Sequence, residues 1–600
     1  MHSNLRPEAP APRASTALRG AAALSCLALA APTLLAFNLP PSSTFLNQAA
    51  ALIGWGGWLA LLAAALPASV WPRSSGLAAL QSALALLLLA ALASPLWAGL
   101  PWSLALSSAG MIAAAMLAAQ MGAAMQRGGL ALPAFRAFCI GLVVAGVASS
   151  VIGIVQVFAP GWADGEWIAR SYIEGRAVGN LRQPNHLSSL LLWSTVAVLW
   201  LGEARVIRRW GGALLALLFI FVVVLSGSRT GALSVVLLAA WGLLDKRLSR
   251  PTRTLLLLAP LVYAAFWLGT SAWADRSHHV FGGETRFTAK GDISSSRYGI
   301  WADTLTLIRM HPWAGVGFGE FNFAWTLTPF PGRPVAFFDH THNLVLQFAV
   351  ELGLPLAALV LALLLWALYS ALRAALQARS NADPAQAPLR RAAFMMVLLI
   401  LVHSLLEYPL WYAYFLLPAA FAFGLGLAAP GEPATSTAAA PSERTRPGRT
   451  RPLLIAAMLL MVGGFAAVAD YARVVVIFAP GEGAPPLAQR IEDGRRSVFF
   501  AHHADYAAAT TAEHPADALR SFQRAPHYLL DARLLQAWAT ALNEAGETQR
   551  ARYIAQRLRE FRNVQSEPFF APCEAPPKRG ATLLFQCQAP TRTFDFEDFR

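Results

Sequence analysis

Apolar stretches long enough to cross a bilayer recur thirteen times before residue 471, and no other feature constrains this chain as strongly. The hydrocarbon core is about 30 Å thick and a helix rises about 1.5 Å per residue, so one span needs roughly 17–25 mostly apolar residues. Such stretches are centred in 17–37, 48–66, 76–97, 101–125, 135–158, 187–202, 211–226, 230–245, 254–272, 343–369, 392–407, 409–429 and 453–470. The core offers the backbone no water, so each stretch must close its hydrogen bonds internally as a helix. The expected fold is therefore an all-α polytopic membrane protein of about 13 transmembrane helices. With 56% hydrophobic and 13% charged residues, the composition excludes an ordinary soluble domain.

The first stretch follows Arg6, Arg13 and Arg19 as in a signal peptide. The apolar run continues through Phe37 and more spans follow, so it reads as a retained anchor. Orientation follows from Lys and Arg, which stay cytoplasmic. With the N-terminus inside, the inner connections carry Arg73, then Arg127 and Arg136, Arg205 to Arg209, Lys246 to Arg253, Arg373 to Arg391, and Arg444 to Arg451. The short outer connections carry only Arg229. This alternation accounts for most of the net charge of +14 without invoking nucleic acid. An odd number of spans leaves the C-terminus periplasmic.

The chain divides into a cytoplasmic N-terminus (1–16), a first bundle (17–272) with an outer loop at 159–186, and a large outer loop (273–342). A second bundle (343–470) with a cytoplasmic linker rich in Pro, Ala, Ser and Thr (430–452) and a small helical periplasmic C-terminal domain (471–600) follow. Within that domain, L-L-Q-A-W-A-T-A-L-N-E-A-G-E-T-Q-R-A-R-Y-I-A resembles one tetratricopeptide-type hairpin. A single repeat cannot bury a solenoid core, so a small domain packed on the membrane part is expected. Cys26 and Cys139 lie in apolar helices; Cys573 and Cys587 flank a short polar loop and would pair on an oxidising side, or else remain thiols.

Polar chemistry gathers on the outer side. In G-N-L-R-Q-P-N-H (179–186), Pro184 disfavours helix at Gln183, so Asn185 or Ser188 is expected to begin the next helix. In S-G-S-R-T-G (226–231), Arg229 is either a snorkelling interface residue or a phosphate clamp. The large loop contains a capped amphipathic helix with Arg297 and Asp303, then the turn-rich H-P-W-A-G-V-G-F-G-E-F. Its G-V-G-F-G lacks the lysine and strand-to-helix setting of a nucleotide loop. Asn343, Gln347 and Glu351, four apart, form one stripe on an apolar helix. Glu351 then lies about 12 Å beyond Asn343, deep enough that it should face the bundle interior. His340 and His342 stand just before that helix, whose N-terminus attracts anions and favours neutral imidazole. A capping or metal-binding pair is the alternative, but no neighbouring residues complete a ligand set. In H-S-L-L-E-Y-P-L-W-Y (403–412), Pro409 turns the chain and leaves Glu407 and Tyr408 at an outer corner, as interface anchors or as part of the same polar face.

Taken together, Q-P-N-H at 183–186, S-G-S-R-T-G at 226–231, S-R-Y-G-I-W at 296–301, H-P-W-x-G-x-G at 311–317, H-x-H-N at 340–343 and E-Y-P at 407–409 resemble the bacterial O-linked protein oligosaccharyltransferases, the PglL family, within the O-antigen ligases and Wzy-type polymerases. The resemblance runs from roughly residue 20 to 480. It implies a metal-independent glycosyltransferase, without cofactor, in the bacterial inner membrane. Such an enzyme moves a preassembled glycan from undecaprenyl diphosphate to Ser or Thr of periplasmic proteins. His342 matches the family's essential loop histidine; Gln183 and Tyr408 match further catalytic positions, and Arg229 and Arg297 match donor diphosphate positions. His340, Asn343, Glu351, Glu407 and His186 are the supporting residues. Rival readings are a ligase acting on lipid A-core, a polymerase extending the lipid-linked glycan, and a multi-pass transporter using Glu351 and Arg229. The absence of an internal repeat and the one-sided polar groups speak against transport.

Overall fold

The computed structural model describes residues 12–67, 72–284, 296–377, 386–428, 451–574 and 583–600. Most of the 430–452 linker and the first residues of the 1–16 segment lie outside the described residues. All regular structure among the described residues is helical. Nine helices come first: α1 (Pro12–Leu34), α2 (Phe45–Ala65), α3 (Ser75–Trp97), α4 (Trp102–Arg127), α5 (Ala131–Phe158), α6 (Pro184–Glu203), α7 (Arg209–Ser226), α8 (Arg229–Leu244) and α9 (Arg250–Ser277). Two loop helices, α10 (Arg297–Met310) and α11 (Phe321–Leu327), precede α12 (Leu344–Gln377), α13 (Gln386–Ser404), α14 (Ala413–Leu427) and α15 (Arg451–Phe478). The tail adds α16 (Leu487–Gly494), α17 (Ala501–Thr511), α18 (Ala525–Tyr528), α19 (Ala532–Glu544), α20 (Thr548–Glu560) and α21 (Glu567–Glu574).

Each of the thirteen apolar stretches coincides with a helix. Ten are long and apolar enough to cross a membrane, α8 and α14 are apolar but shorter, and α6 stands apart. Every residue of α6 from Pro184 to Gly202 is buried, because the helix runs through the bundle centre against α5, α7, α8 and α13. That position tolerates polar side chains that lipid would not, provided each finds a partner. Ser189 Oγ meets His403 Nδ1 at 2.7 Å, and Ser194 Oγ donates to the Leu142 carbonyl at 2.7 Å. Where α4 and α14 cross, a Cβ on Gly424 would stand 1.9 Å from the Ala119 carbonyl oxygen, so only glycine permits that approach.

Two expectations change. Gln183, extended at φ −141°, is itself the N-cap of α6, its side chain accepting from the His186 amide at 2.9 Å. Pro184 fits the first helical position because its missing N–H would have had no partner there. The helix therefore starts before Asn185 and Ser188. The helix that carries the stripe, α12, is also interrupted, just past Glu351. Its 34 residues would extend about 51 Å, too long for a single crossing. The helix breaks at Gly353 (φ 73°, ψ 161°) ahead of Pro355. The part above the break, with Phe348, Val350 and Leu352, packs with the loop helices and the tail. Glu351 is consequently buried under the loop, not within the bundle.

That second apolar core joins α10, α11, the upper part of α12 and α19–α20 into one body. Tyr553 donates to the Leu327 carbonyl at 2.6 Å, Arg333 Nε lies 3.2 Å from Glu560 Oε2, and Arg600 Nη2 donates to the Val316 carbonyl at 2.5 Å. The hairpin α19–α20 is capped by Asp531, which accepts from the Leu534 amide at 2.8 Å. Cys573 and Cys587 form a disulfide.

Candidate active site

Glu407 is the hub. It follows α13, is buried, and receives side chains from three other parts of the chain. Its Oε2 lies 2.7 Å from His342 Nδ1. Its Oε1 accepts from Arg297 Nη2 and, at 3.0 Å, from Asn185 Nδ2. Asn185 Oδ1 in turn accepts from Ser228 Oγ at 2.6 Å, and Ser228 caps α8 through the Gly231 amide at 3.0 Å. Arg229 is the first residue of α8, so the backbone fixes it beside this chain of hydrogen bonds. His342 and Arg297 thus both meet Glu407 directly, and Arg229 follows Ser228, the far end of this chain of hydrogen bonds, in sequence.

The start of α12 fixes His342. Asn343 accepts from the Val345 and Leu346 amides at 3.0 and 3.1 Å and donates to the Leu405 carbonyl at 3.1 Å. Thr341 N–H donates to Gln347 Oε1 at 2.8 Å, and Thr341 Oγ1 donates to the Asn343 carbonyl at 2.8 Å. Between these anchors His342 adopts φ +54°, a left-handed conformation that disfavours a side chain by about 1–3 kcal/mol. A carboxylate only accepts, so the bond to Glu407 requires the proton on Nδ1 and leaves the neutral imidazole's lone pair on Nε2. No hydrogen-bond partner for Nε2 occurs among the described residues.

Burial would raise the Glu407 carboxyl. The hydrogen bond and charge of His342, with the Arg297 guanidinium, outweigh it and hold the group down at about 2. Tyr408 is pushed well up by burial and by Asp339, so it remains a phenol able to donate. Its ring stacks on His340 at 4.3 Å and meets His342 edge-on at 5.0 Å. His340 Nδ1 lies 3.0 Å from Asp339 Oδ1; burial disfavours its charge, but Asp339 more than compensates and raises its pKa.

Of the remaining anticipated residues, Gln183, His186 and Glu351 do not hydrogen-bond to Glu407. Gln183 caps α6. His186 is boxed by Tyr412 at 4.6 Å and Phe415 at 5.2 Å, with its Nδ1 3.4 Å from the Tyr414 hydroxyl. Glu351 Oε1 accepts from Gln347 Nε2 at 2.9 Å and faces the Phe321 amide at 3.4 Å, so it braces the entrance of α11. Asn185 and Ser228 are the residues that sequence reasoning passed over. The available signal was that a polar side chain in the first turn of a buried helix must find a partner.

Four helices, α6, α8, α10 and α12, begin at residues of this one network. Their N-terminal N–H groups add partial positive charge to the arginines, which suits an anion. Residues 213–361 match the O-antigen ligase family, and residues 177–201, which contain Q-P-N-H, match the protein glycosylation ligase family. The chain is thus similar over part of its length to O-antigen ligases and to protein glycosylation ligases. The ligase match covers α7 to α9, the loop and the upper α12. Residues 391–567 further match the C-terminal region of virulence factor membrane-bound polymerases, so family likeness extends into the tail beyond residue 480. Among relatives from Acinetobacter baylyi, a general O-oligosaccharyltransferase is 27% identical over 42% of this chain and 43% of its own length. A ComP-specific O-oligosaccharyltransferase is 26% identical over 42% of this chain and 44% of its own length. The chain thus spans less than half the length of the curated relatives it matches.

Proposed function

We propose that this site transfers a preassembled oligosaccharide from a polyprenyl diphosphate, undecaprenyl diphosphate, to Ser or Thr hydroxyls of periplasmic proteins. The observation that carries the reading is a glutamate-held imidazole whose Nε2 has no hydrogen-bond partner among the described residues, on a carboxylate shared with Arg297 and at a network where four helices begin. An acceptor hydroxyl is a weak nucleophile near neutral pH. A positioned base accelerates its attack by about 10²–10⁴-fold. The hydroxyl oxygen bonds to the anomeric carbon while its proton passes to His342 Nε2, and Glu407 stabilises the imidazolium. The bond from the anomeric carbon to phosphate oxygen breaks, its electron pair leaving on the lipid diphosphate. Arg229 and Arg297 stabilise that charge without a metal or cofactor. Arg297 Nε is buried and hydrogen-bonds to nothing among the described residues, a donor left for a phosphate oxygen.

Sidedness supports the same reading. The site lies at the bundle end opposite Arg73, Arg127 and Arg208, so basic-inside orientation in the inner membrane makes it periplasmic. The disulfide in the tail, at the same end, fits an oxidising compartment. The match of residues 391–567 to polymerases favours a second reading, in which the acceptor is another lipid-linked glycan. The test is expression with an undecaprenyl-diphosphate-linked glycan and a candidate acceptor protein, read by intact-protein mass spectrometry. A mass increase of one glycan on a Ser or Thr peptide is expected. Longer glycan on the lipid, or glycan only on lipid A-core, overturns the choice of acceptor.

A further inference from the structure

We propose that Asn185 is a positioning residue that sets the Glu407 carboxylate for His342 and ties its alignment to the α7–α8 corner bearing Arg229. The inference rests on the glycosyl-transfer reading. Asn185 is buried and uses both ends of its amide: Nδ2 donates to Glu407 Oε1 at 3.0 Å, and Oδ1 accepts from Ser228 Oγ at 2.6 Å. Ser228 Oγ is held in turn by Ser188 Oγ at 3.1 Å, and Ser188 Oγ also donates to the Asn185 carbonyl at 2.9 Å. The amide cannot rotate without losing a bond at each end. With Oε1 occupied by Arg297 and Asn185, the other carboxylate oxygen is directed at His342 Nδ1. Donor diphosphate drawn to Arg229 would therefore meet a base already aligned by the same corner.

Other titratable or charged groups around Glu407 are Arg297 on α10, His342 before α12, His403 on α13, His186 on α6, Tyr408 next in sequence, and Tyr412 ahead of α14. None of them is a second carboxylate in contact with it. Asn185→Asp supplies one. While protonated, the introduced carboxyl can donate to Glu407 as the amide does; once ionised, it repels Glu407 and breaks the arrangement. Because a carboxyl beside a carboxylate gives up its proton reluctantly, that change should fall near neutral pH.

The experiment measures glycan transfer by the full-length membrane enzyme across pH 5–9 for wild type, Asn185→Asp, Asn185→Ala and Ser228→Ala. Asn185→Asp should approach wild-type kcat at the acid end and fall at least tenfold below it at the alkaline end. Asn185→Ala should lose activity to the same degree at every pH, with donor KM changed less than kcat. Ser228→Ala should give a smaller loss in the same direction. A ratio of Asn185→Asp to wild type that stays flat with pH, or wild-type kcat in Asn185→Ala, overturns the proposal. If wild type itself transfers no glycan to any hydroxyl acceptor, the underlying reading fails instead.

Discussion

Two buried histidine–carboxylate pairs in this molecule share one geometry and differ in everything else. His342 Nδ1 lies 2.7 Å from Glu407, and His527 Nδ1 lies 2.7 Å from Glu320. The side chains of the first pair retain 14% and 9% exposure; those of the second retain 2% and 0%. His527 sits on α18, stacks on Phe323 at 4.3 Å, and fastens the tail to Glu320 at the start of α11. The first pair adds Arg297 and Asn185 on the carboxylate and a left-handed backbone at the histidine. Contact distance therefore does not separate chemistry from fastening. What separates the two pairs is the remaining exposure and the left-handed backbone at His342.

The contrast breaks most directly at the imidazoles. His342→Ala should lower glycan transfer per folded molecule by about 10²–10⁴-fold. Near wild-type transfer would remove the distinction between the pairs. Glu407→Gln keeps the shape but cannot stabilise imidazolium as well, so transfer should fall by up to about 10⁴-fold. The same substitution sharpens the comparison through acid stability. Glu407 is depressed from 4.5 to about 2 in the folded state, so its contribution is present above about 4.5 and is lost as pH falls towards about 2. Wild type should lose stability across that window relative to Glu407→Gln, measured by acid unfolding in detergent.

How far the sequence foretells this contrast depends on range. Apolar stretches are local quantities, so hydropathy finds the thirteen apolar helices, and H-x-H-N before a stripe of Asn343, Gln347 and Glu351 marks the entrance of α12. Glu407 is also visible, as a carboxylate at an outer corner. Its partners are not: Asn185 is 222 residues away, Arg297 110 and His342 65, and no local periodicity encodes such pairings. The break at Gly353 is missed because the apolar pattern continues through it. The reason for that break lies elsewhere, in the loop: a Cβ on Gly353 would stand 2.3 Å from the Trp313 carbonyl oxygen. That the tail packs on the rest is expected, but the residues that dock it escape for the same reason, since Glu320 and His527 are 207 residues apart.

The fastening pair should respond in the opposite sense. His527→Ala leaves Glu320 buried without its partner, and the loss of one member of such a pair destabilises by about 3–5 kcal/mol. Unfolding of the tail, followed by limited proteolysis, should begin at lower temperature. Transfer per folded molecule should fall less than tenfold, because His527 touches none of the residues that hold His342. A loss equal to that of His342→Ala would mean that tail docking itself sets the base.

The smallest effect on transfer is expected at the disulfide. Cys573 and Cys587 are 14 residues apart, so their bond removes at most about 3 kcal/mol of loop-closure entropy from the undocked tail. The segment that follows is held independently: Phe596 and Phe599 are buried in the second core, and Arg600 reaches the Val316 carbonyl. Replacing both cysteines by serine should accelerate proteolysis after residue 574 while leaving transfer within about twofold, since the substitution acts on the undocked state and not on the contacts around Glu407. A larger loss of transfer would show that the last residues steady the loop beneath His342, and would make the tail a working part of the site.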